Sequence, residues 1–386
     1  MVCIAITPAI TVPPAAAAAR SRILGGENYQ PIFEVTRGRI VESLHFGAAA
    51  VVDSGGRLLA SLGDPKTVTF LRSSAKPFQV LPFIERDGDQ AFHLTSKEVA
   101  ILCGSHDGSD EHVEVVKGIQ VKVGVQESDL MCGVHPLSYL PTIEAMTARG
   151  ESLSPNRHNC SGKHTGMLAA ARLRNLSISD YIDPEHPIQK SILEILAGIC
   201  SLPVAQVEVG IDGCSVPTFA MPLYNAALGF ARLCDSRSQP AERAAACRRI
   251  TQSMMANPLM VAGQNRFDTR LMETCPGRIL VKGGAEGYML MGIPAGALGA
   301  DSAGVGIAFK VSDGDLPIRK ANGETYNRVR PAVALEILRQ MDWISEKELE
   351  LLALEFGPLK TVTNWRKLEV GQARPAFSLQ RTGQPG

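Results

Sequence analysis

The chain has 386 residues, of which 45% are hydrophobic and 20% charged, enough to bury a large core. Lys plus Arg and Asp plus Glu each total 39, so the formal net charge is zero. No strong field exists to recruit nucleic acid or an anionic membrane, and a small neutral or zwitterionic ligand fits better. Nine scattered cysteines do not make the dense paired framework of a small secreted domain, which points to a reducing, cytoplasmic setting. The longest weakly polar stretch, 288–300, contains Pro294 and falls short of the roughly 20 apolar residues that a spanning helix needs.

The first 33 residues include an apolar run that no basic residue precedes and that prolines interrupt, so they are expected to be a disordered extension rather than a signal peptide. A β-rich run over 38–53, turn chemistry at Ser54-Gly55-Gly56 and a returning strand over 57–62 open the fold with a hairpin. Thr95 and Glu98 form a capping-box pattern ahead of an apolar run, predicting a short helix that delivers the chain to Cys103-Gly104-Ser105-His106. Further helices are expected at about 163–174, 188–199, 240–256, 331–341 and 346–355, the last opened by Ser345 with Glu348 three residues on. A second strand-rich block covers 278–311. Strands at both ends with helices between them argue for one α/β (α+β) domain over 34–370 whose sheet joins distant segments, followed by a flexible tail over 371–386.

Three segments can supply one active site. In Arg72-Ser73-Ser74-Ala75-Lys76-Pro77, a helix starting here puts Ser73 and Lys76 on one face, and Pro77 is tolerated in a first turn. A lysine whose pKa is lowered by burial or neighbouring cations can take the serine proton. Alone, Ser-x-x-Lys is as common as any short pattern. Context comes from Ser105-His106-Asp107 and from Lys282-Gly283-Gly284, which follows the apolar run 278–281. A Ser-x-x-Lys, a second serine box and a late Lys-x-Gly box, in that order, follow the layout of penicillin-recognising serine hydrolases. Taken singly, Lys282 reads as a surface lysine before a Gly-Gly turn.

The third element is His158-Asn159-Cys160-Ser161-Gly162-Lys163-His164 with Asp212-Gly213-Cys214. Two thiolates and a neutral lysine amine can hold zinc and leave a fourth position open. Two cysteines at this separation equally suit core or loop positions, and Cys160 with His164 is a further nucleophile–base pairing.

The segments R-S-S-A-K-P, C-G-S-H-D, N-C-S-G-K-H, D-G-C-S-V-P-T and V-K-G-G-A-E-G, in this order, resemble the signatures of the asparaginase II family of rhizobial type. The similarity runs from about Val35 to about Gly314. It implies a fold like that of serine β-lactamases and glutaminases, with a mainly antiparallel central sheet flanked by helices, in a homodimer. It also implies hydrolysis of L-asparagine to L-aspartate and ammonia, with Ser73 as acyl-forming nucleophile, Lys76 as its base, and Ser105 with Lys282 as a second, proton-relaying pair. Zinc would lie on Cys160, Lys163 and Cys214, organising substrate binding rather than activating water. Arg72, His106, Asp212, Gly213 and Arg266 would contact the substrate, Asp212 at its amino group and Arg266 at its α-carboxylate. The oxyanion would meet the N–H of Ser73 and one from the strand after Lys282. One departure concerns affinity: Asp268 stands where the rhizobial relative carries a further cysteine. Glutamine stays open as a substrate, because one methylene alters binding by only about 1–3 kcal/mol. The rivals are a penicillin-binding or β-lactamase-type acyl hydrolase and a zinc-stabilised binding protein without catalysis.

Overall fold

The long strand Ile40–Asp53 is the spine of the architecture. Its first half alternates between exposed and half-buried positions and its second half, Gly47 onward, is buried throughout. That switch follows from its partners, since one edge pairs first with Gln30–Arg37 and then with Leu58–Leu62, while the other pairs with Val305–Val311 only from Gly47. Tyr288–Ile293 and Leu280–Gly283 continue the sheet beyond Val305–Val311, all antiparallel. Lys282 therefore sits on an edge strand. The computed structural model describes residues 28–319 and 325–382.

The helix Leu223–Cys234 lies against the sheet on two glycines. A Cβ on Gly306 would stand 1.8 Å from the Ala227 carbonyl oxygen, and one on Gly292 would stand 2.4 Å from Cys234 Sγ, so the helix rests on bare backbone. Next to it runs Lys76–Ile84, a helix whose every residue is buried, packed among Ser161–Leu173, Pro187–Ile199 and Ala241–Ala256. An apolar helix of this kind belongs in a core rather than at a surface. A small sheet of Val68–Phe70, Pro217–Pro222 and Glu208–Ile211 ends just before Arg72 and so aims the chain into that helix.

The mixed α/β class expected from sequence is the class observed, with an antiparallel sheet flanked by helices. The Thr95/Glu98 and Ser345/Glu348 capping boxes both form, opening Ser96–Leu102 and Glu346–Phe356. Expected helices appear as Ser161–Leu173, Pro187–Ile199, Ala241–Ala256 and Arg330–Gln340. The expected tail is corrected: Glu369–Pro375 pairs with Gln30–Arg37, and Gln380–Arg381 pairs with Leu58–Leu62. Strands that complete a sheet edge gain ladder hydrogen bonds that local composition does not announce. Gln30–Arg37 likewise begins inside the expected extension, whose residues 1–27 lie outside those described. All eight cysteines of the described residues are free, and no described helix is long and apolar enough to cross a membrane.

Replacing Gly306 with alanine should force the helix Leu223–Cys234 off the sheet and destabilise the protein by about 3 kcal/mol, read from denaturant unfolding. An unchanged midpoint would contradict this contact.

Candidate active site

Lys76 and Lys282 arrive from opposite layers, one at the start of the core helix and one on the sheet edge, and both donate to the Ser105 hydroxyl at 2.9 Å. Lys76 Nζ also donates to Gly104 O at 2.5 Å and Asn159 O at 3.1 Å, which uses all three hydrogens of an ammonium. Lys282 Nζ has one further acceptor, Gly283 O at 2.8 Å. Both side chains are buried. Burial is the largest influence on each and pushes both pKa values down, Lys282 to about 7. Lys76 also repels the Lys282 proton, whereas Asp268 acts on Lys282 in the opposite direction.

Ser105 follows the helix Ser96–Leu102, and its N–H donates to Val261 O at 2.7 Å. Gly104 is needed here, since a Cβ would meet Met260 O at 2.3 Å. Ser73 stands in a 3-10 turn, Arg72–Ala75, that runs into the core helix, with Pro77 in its first turn as expected. In such a turn residues i and i+3 eclipse, so Ser73 and Lys76 share a face. Lys76 nevertheless points its amine to Ser105, and the half-buried Ser73 hydroxyl has no hydrogen-bond partner among the described residues. Arg72, directly before it, holds a left-handed φ of 51°, a conformation that a non-glycine residue keeps only when its surroundings impose it.

Ser74, which the sequence did not single out, fastens the two layers: its hydroxyl donates to Lys282 O at 2.7 Å. Gly284 allows this approach, because a Cβ would stand 2.6 Å from Leu71 O and 3.1 Å from Ser74 Oγ. The late glycine thus makes room for the serine turn. Of the donors that follow Lys282, Gly283 N–H is taken by Asp268 at 2.6 Å and Gly284 N–H by Tyr288 O at 2.9 Å, whereas the N–H of Ala285, which lines the cleft, has no acceptor among the described residues. The N–H of Ser73 remains, in a first turn where helix geometry leaves donors over.

Ser73, Ser105 and Lys282 line one cleft of about 250 Å³ together with Asn159, Arg266 and Asp268. Arg266 donates to Ser138 Oγ at 2.8 Å. Other expected contacts lie outside this lining. Asp212 is engaged by Arg72 at 2.9 Å and by Gly213 N–H at 2.8 Å. His106 is buried, shares a 3.0 Å hydrogen bond with Ser161 Oγ and accepts from Gly108 N–H. Burial keeps it well below the usual histidine range. Its neighbour Asp107 does structural duty, accepting from Gln264 N–H at 2.9 Å and lying 3.0 Å from His112, which anchors the loop bearing Arg266 and Asp268.

Behind Asn159 lie Cys160, Lys163 and Cys214, all buried. Lys163 Nζ is 2.9 Å from Cys214 Sγ. Hydrogen bonding from Cys214 and the charges of Lys76 and Lys163 hold the Cys160 thiol well below the usual thiol range despite burial. Two thiols and an amine could serve as a zinc donor set with a fourth position open, but Cys160 and Cys214 push the Lys163 pKa up against its burial, so a metal would have to displace a proton from that amine. No group of three His, Cys, Asp or Glu that could hold a metal occurs among the described residues, so the amine is needed to complete the set.

The profile of the L-asparaginase II family matches residues 33–375. The chain belongs to that family. Its members' chemistry makes it an amidohydrolase. No curated protein sequence matches. Among solved structures, a probable glutaminase from Bacillus subtilis complexed with 6-diazo-5-oxo-L-norleucine is similar at 10% identity over 77% of this chain and 84% of that one, with a TM-score of 0.34. A Bacillus glutaminase solved in the presence of 4.3M NaCl is similar at 11% identity over 77% of this chain and 91% of that one, with a TM-score of 0.33.

In this member of the L-asparaginase II family the Lys282 amine should titrate near pH 7, against about 10.4 for a free lysine, in nitrogen-detected NMR of labelled lysines. Between those values the unfolded chain binds the extra proton, so this group makes stability rise with pH above about 7. A Lys282→Met variant should lack the resonance and the slope; a signal titrating near pH 10 would contradict the buried amine.

Proposed function

We propose that the protein hydrolyses L-asparagine to L-aspartate and ammonia through a serine-bound acyl intermediate. The observation that carries this is the Ser105 hydroxyl bonded at 2.9 Å by both Lys76 and Lys282, in a cleft that Ser73 also lines. Near pH 7 a large share of Lys282 is neutral. Lys76 passes a proton to Ser105 Oγ as Ser105 passes its own to Lys282, leaving Lys76 with a lone pair. A small rotation of that amine lets it take the Ser73 proton as Ser73 Oγ bonds to the side-chain amide carbon.

The tetrahedral oxyanion is met by the Ser73 N–H, a preorganised contact of a kind worth several kcal/mol. The departing nitrogen takes the proton from Lys76, the C–N bond breaks and ammonia leaves, so Lys76 is again neutral. Water then attacks the ester and gives its proton to Lys76, Lys76 returns it to Ser73 Oγ as aspartate departs, and Lys282 hands its proton back to Lys76 through Ser105. Each proton has a stated donor and acceptor, which is what a second lysine adds to a simple serine–lysine pair.

Zinc would be held by Cys160, Lys163 and Cys214, where it would supply a fixed positive charge that draws the substrate's polar groups to the cleft. These residues would also fix Asn159, whose carbonyl holds Lys76. A homodimer in a reducing cytoplasm completes the proposal. Its supports are the free cysteines and the exposed Ile40, Val41, Leu44 and Phe46 on the outer half of the long strand.

Ammonia release from L-asparagine and L-glutamine tests the reaction. Ser73→Ala and Lys76→Ala should each lower kcat by about a thousandfold or more with the fold intact. Wild-type kcat/KM should rise through pH 7 to a plateau, as Lys282 must be neutral to accept a proton. A folded Ser73→Ala enzyme at near wild-type rate would sink the mechanism. Metal analysis of purified protein should find zinc in wild type and lose it in Cys160→Ser; equal metal content in both would remove the zinc site.

A further inference from the structure

Arg266, Asp268 and Arg330 are charged groups of the cleft that the proposed chemistry leaves unused. Asp268 lies in the first turn of the helix Phe267–Thr274, and Arg330 opens the helix Arg330–Gln340. Both line the cleft beside Lys282 and Ser105. Asp212, the expected partner of the substrate's amino group, stands outside this lining and receives Arg72 and the Gly213 N–H on Oδ1.

Asp268 is almost completely buried, yet only half of its carboxylate is used. Oδ2 accepts the Gly283 N–H at 2.6 Å, while Oδ1 accepts from no donor among the described residues. Arg330 has a similar incompleteness. Its Nη1 donates to Gly284 O and Tyr288 O, and its Nη2 to Asn327 Oδ1 at 2.8 Å, but its Nε is buried without a partner. Asp268 Oδ1 keeps some exposure on the cleft wall and is free to accept, and a buried guanidinium N–H left unpaired is costly unless a ligand completes it. Arg266 lines the same wall and has a single protein partner, Ser138.

Two guanidiniums and one carboxylate match one class of ligand. We propose that Asp268 and Arg330, with Arg266, clamp the head group of an α-amino acid, Asp268 taking the α-ammonium and the arginines the α-carboxylate. This rests on the amidohydrolysis proposed above and makes these residues determinants of specificity rather than of the bond-breaking step. The Gly283 N–H bond to Asp268 places the clamp one residue from Lys282, so a short side chain would reach the serines from it. A mono-amide lacking either head-group charge would leave one of these groups without its partner and would bind poorly.

The test is calorimetric binding of L-aspartate, succinate and β-alanine to the full-length protein, since the latter two lack the α-ammonium and the α-carboxylate respectively. Asp268→Asn keeps an acceptor for Gly283 N–H. It should weaken L-aspartate and β-alanine by about tenfold or more while leaving succinate unchanged. Arg330→Lys should weaken L-aspartate and succinate and spare β-alanine. A merely structural role for Asp268 would weaken all three ligands alike, and that result, or a wild type that binds L-aspartate no better than succinate, would overturn the clamp. Turnover is not involved in this measurement. A wild type that discriminates as expected but releases no ammonia would remove the proposed reaction and leave the clamp; an active enzyme whose discrimination survives in Asp268→Asn would remove the clamp and leave the reaction.

Discussion

Two lysine amines held out of water on either side of one serine hydroxyl are the constraint around which the rest of this protein is arranged. Neither can be fully charged without cost, because burial disfavours both ammonium groups, and Lys76 further repels the Lys282 proton. The fold meets that cost unequally. Lys76 has main-chain carbonyls from Gly104 and Asn159 to accept its hydrogens, while Lys282 has a single one from Gly283 and titrates near neutrality. One site thus contains two buried amines with unequal numbers of carbonyl acceptors, an asymmetry that acid–base chemistry can use.

Holding that pair demands close contact between elements far apart in sequence. The core helix can carry a lysine at its buried start only because the Arg72–Ala75 turn is strapped to the Lys282 strand through Ser74. The strap in turn needs Gly284, and the Ser105 segment needs Gly104, at positions where any side chain would strike a carbonyl oxygen. At the far side, Leu223–Cys234 presses on Gly306 and Gly292 and fixes the sheet that presents Lys282. These glycines matter for approach distance rather than for unusual backbone angles.

Much of this was legible in the amino-acid sequence, and the failures have physical reasons. Capping boxes such as Thr95/Glu98 are local, so they could be read directly and are present. The order of serine and lysine boxes named Ser73, Lys76, Ser105 and Lys282, and three of these line the cleft with Lys76 bonded to Ser105 behind them. Which serine each lysine faces depends on side-chain direction, which spacing does not encode; Lys76 at i+3 from Ser73 points elsewhere. Strands Gln30–Arg37, Glu369–Pro375 and Gln380–Arg381 went unread because edge pairing across the whole chain leaves little local signature. Arg330 was invisible for a similar reason: no motif surrounds it, and only the fold brings its guanidinium to the cleft.

The assignment of Ser73 as nucleophile, with Ser105 as the bridge between the lysines, is the central claim. Treating the protein with a diazoketone analogue of L-asparagine and mapping the adduct by peptide mass spectrometry tests it most directly. The account predicts the label on Ser73, in the peptide that contains Lys76, and its loss in Ser73→Ala. A label on Ser105 would contradict it, making the doubly bonded hydroxyl the attacking group and Ser73 an accessory of the cleft.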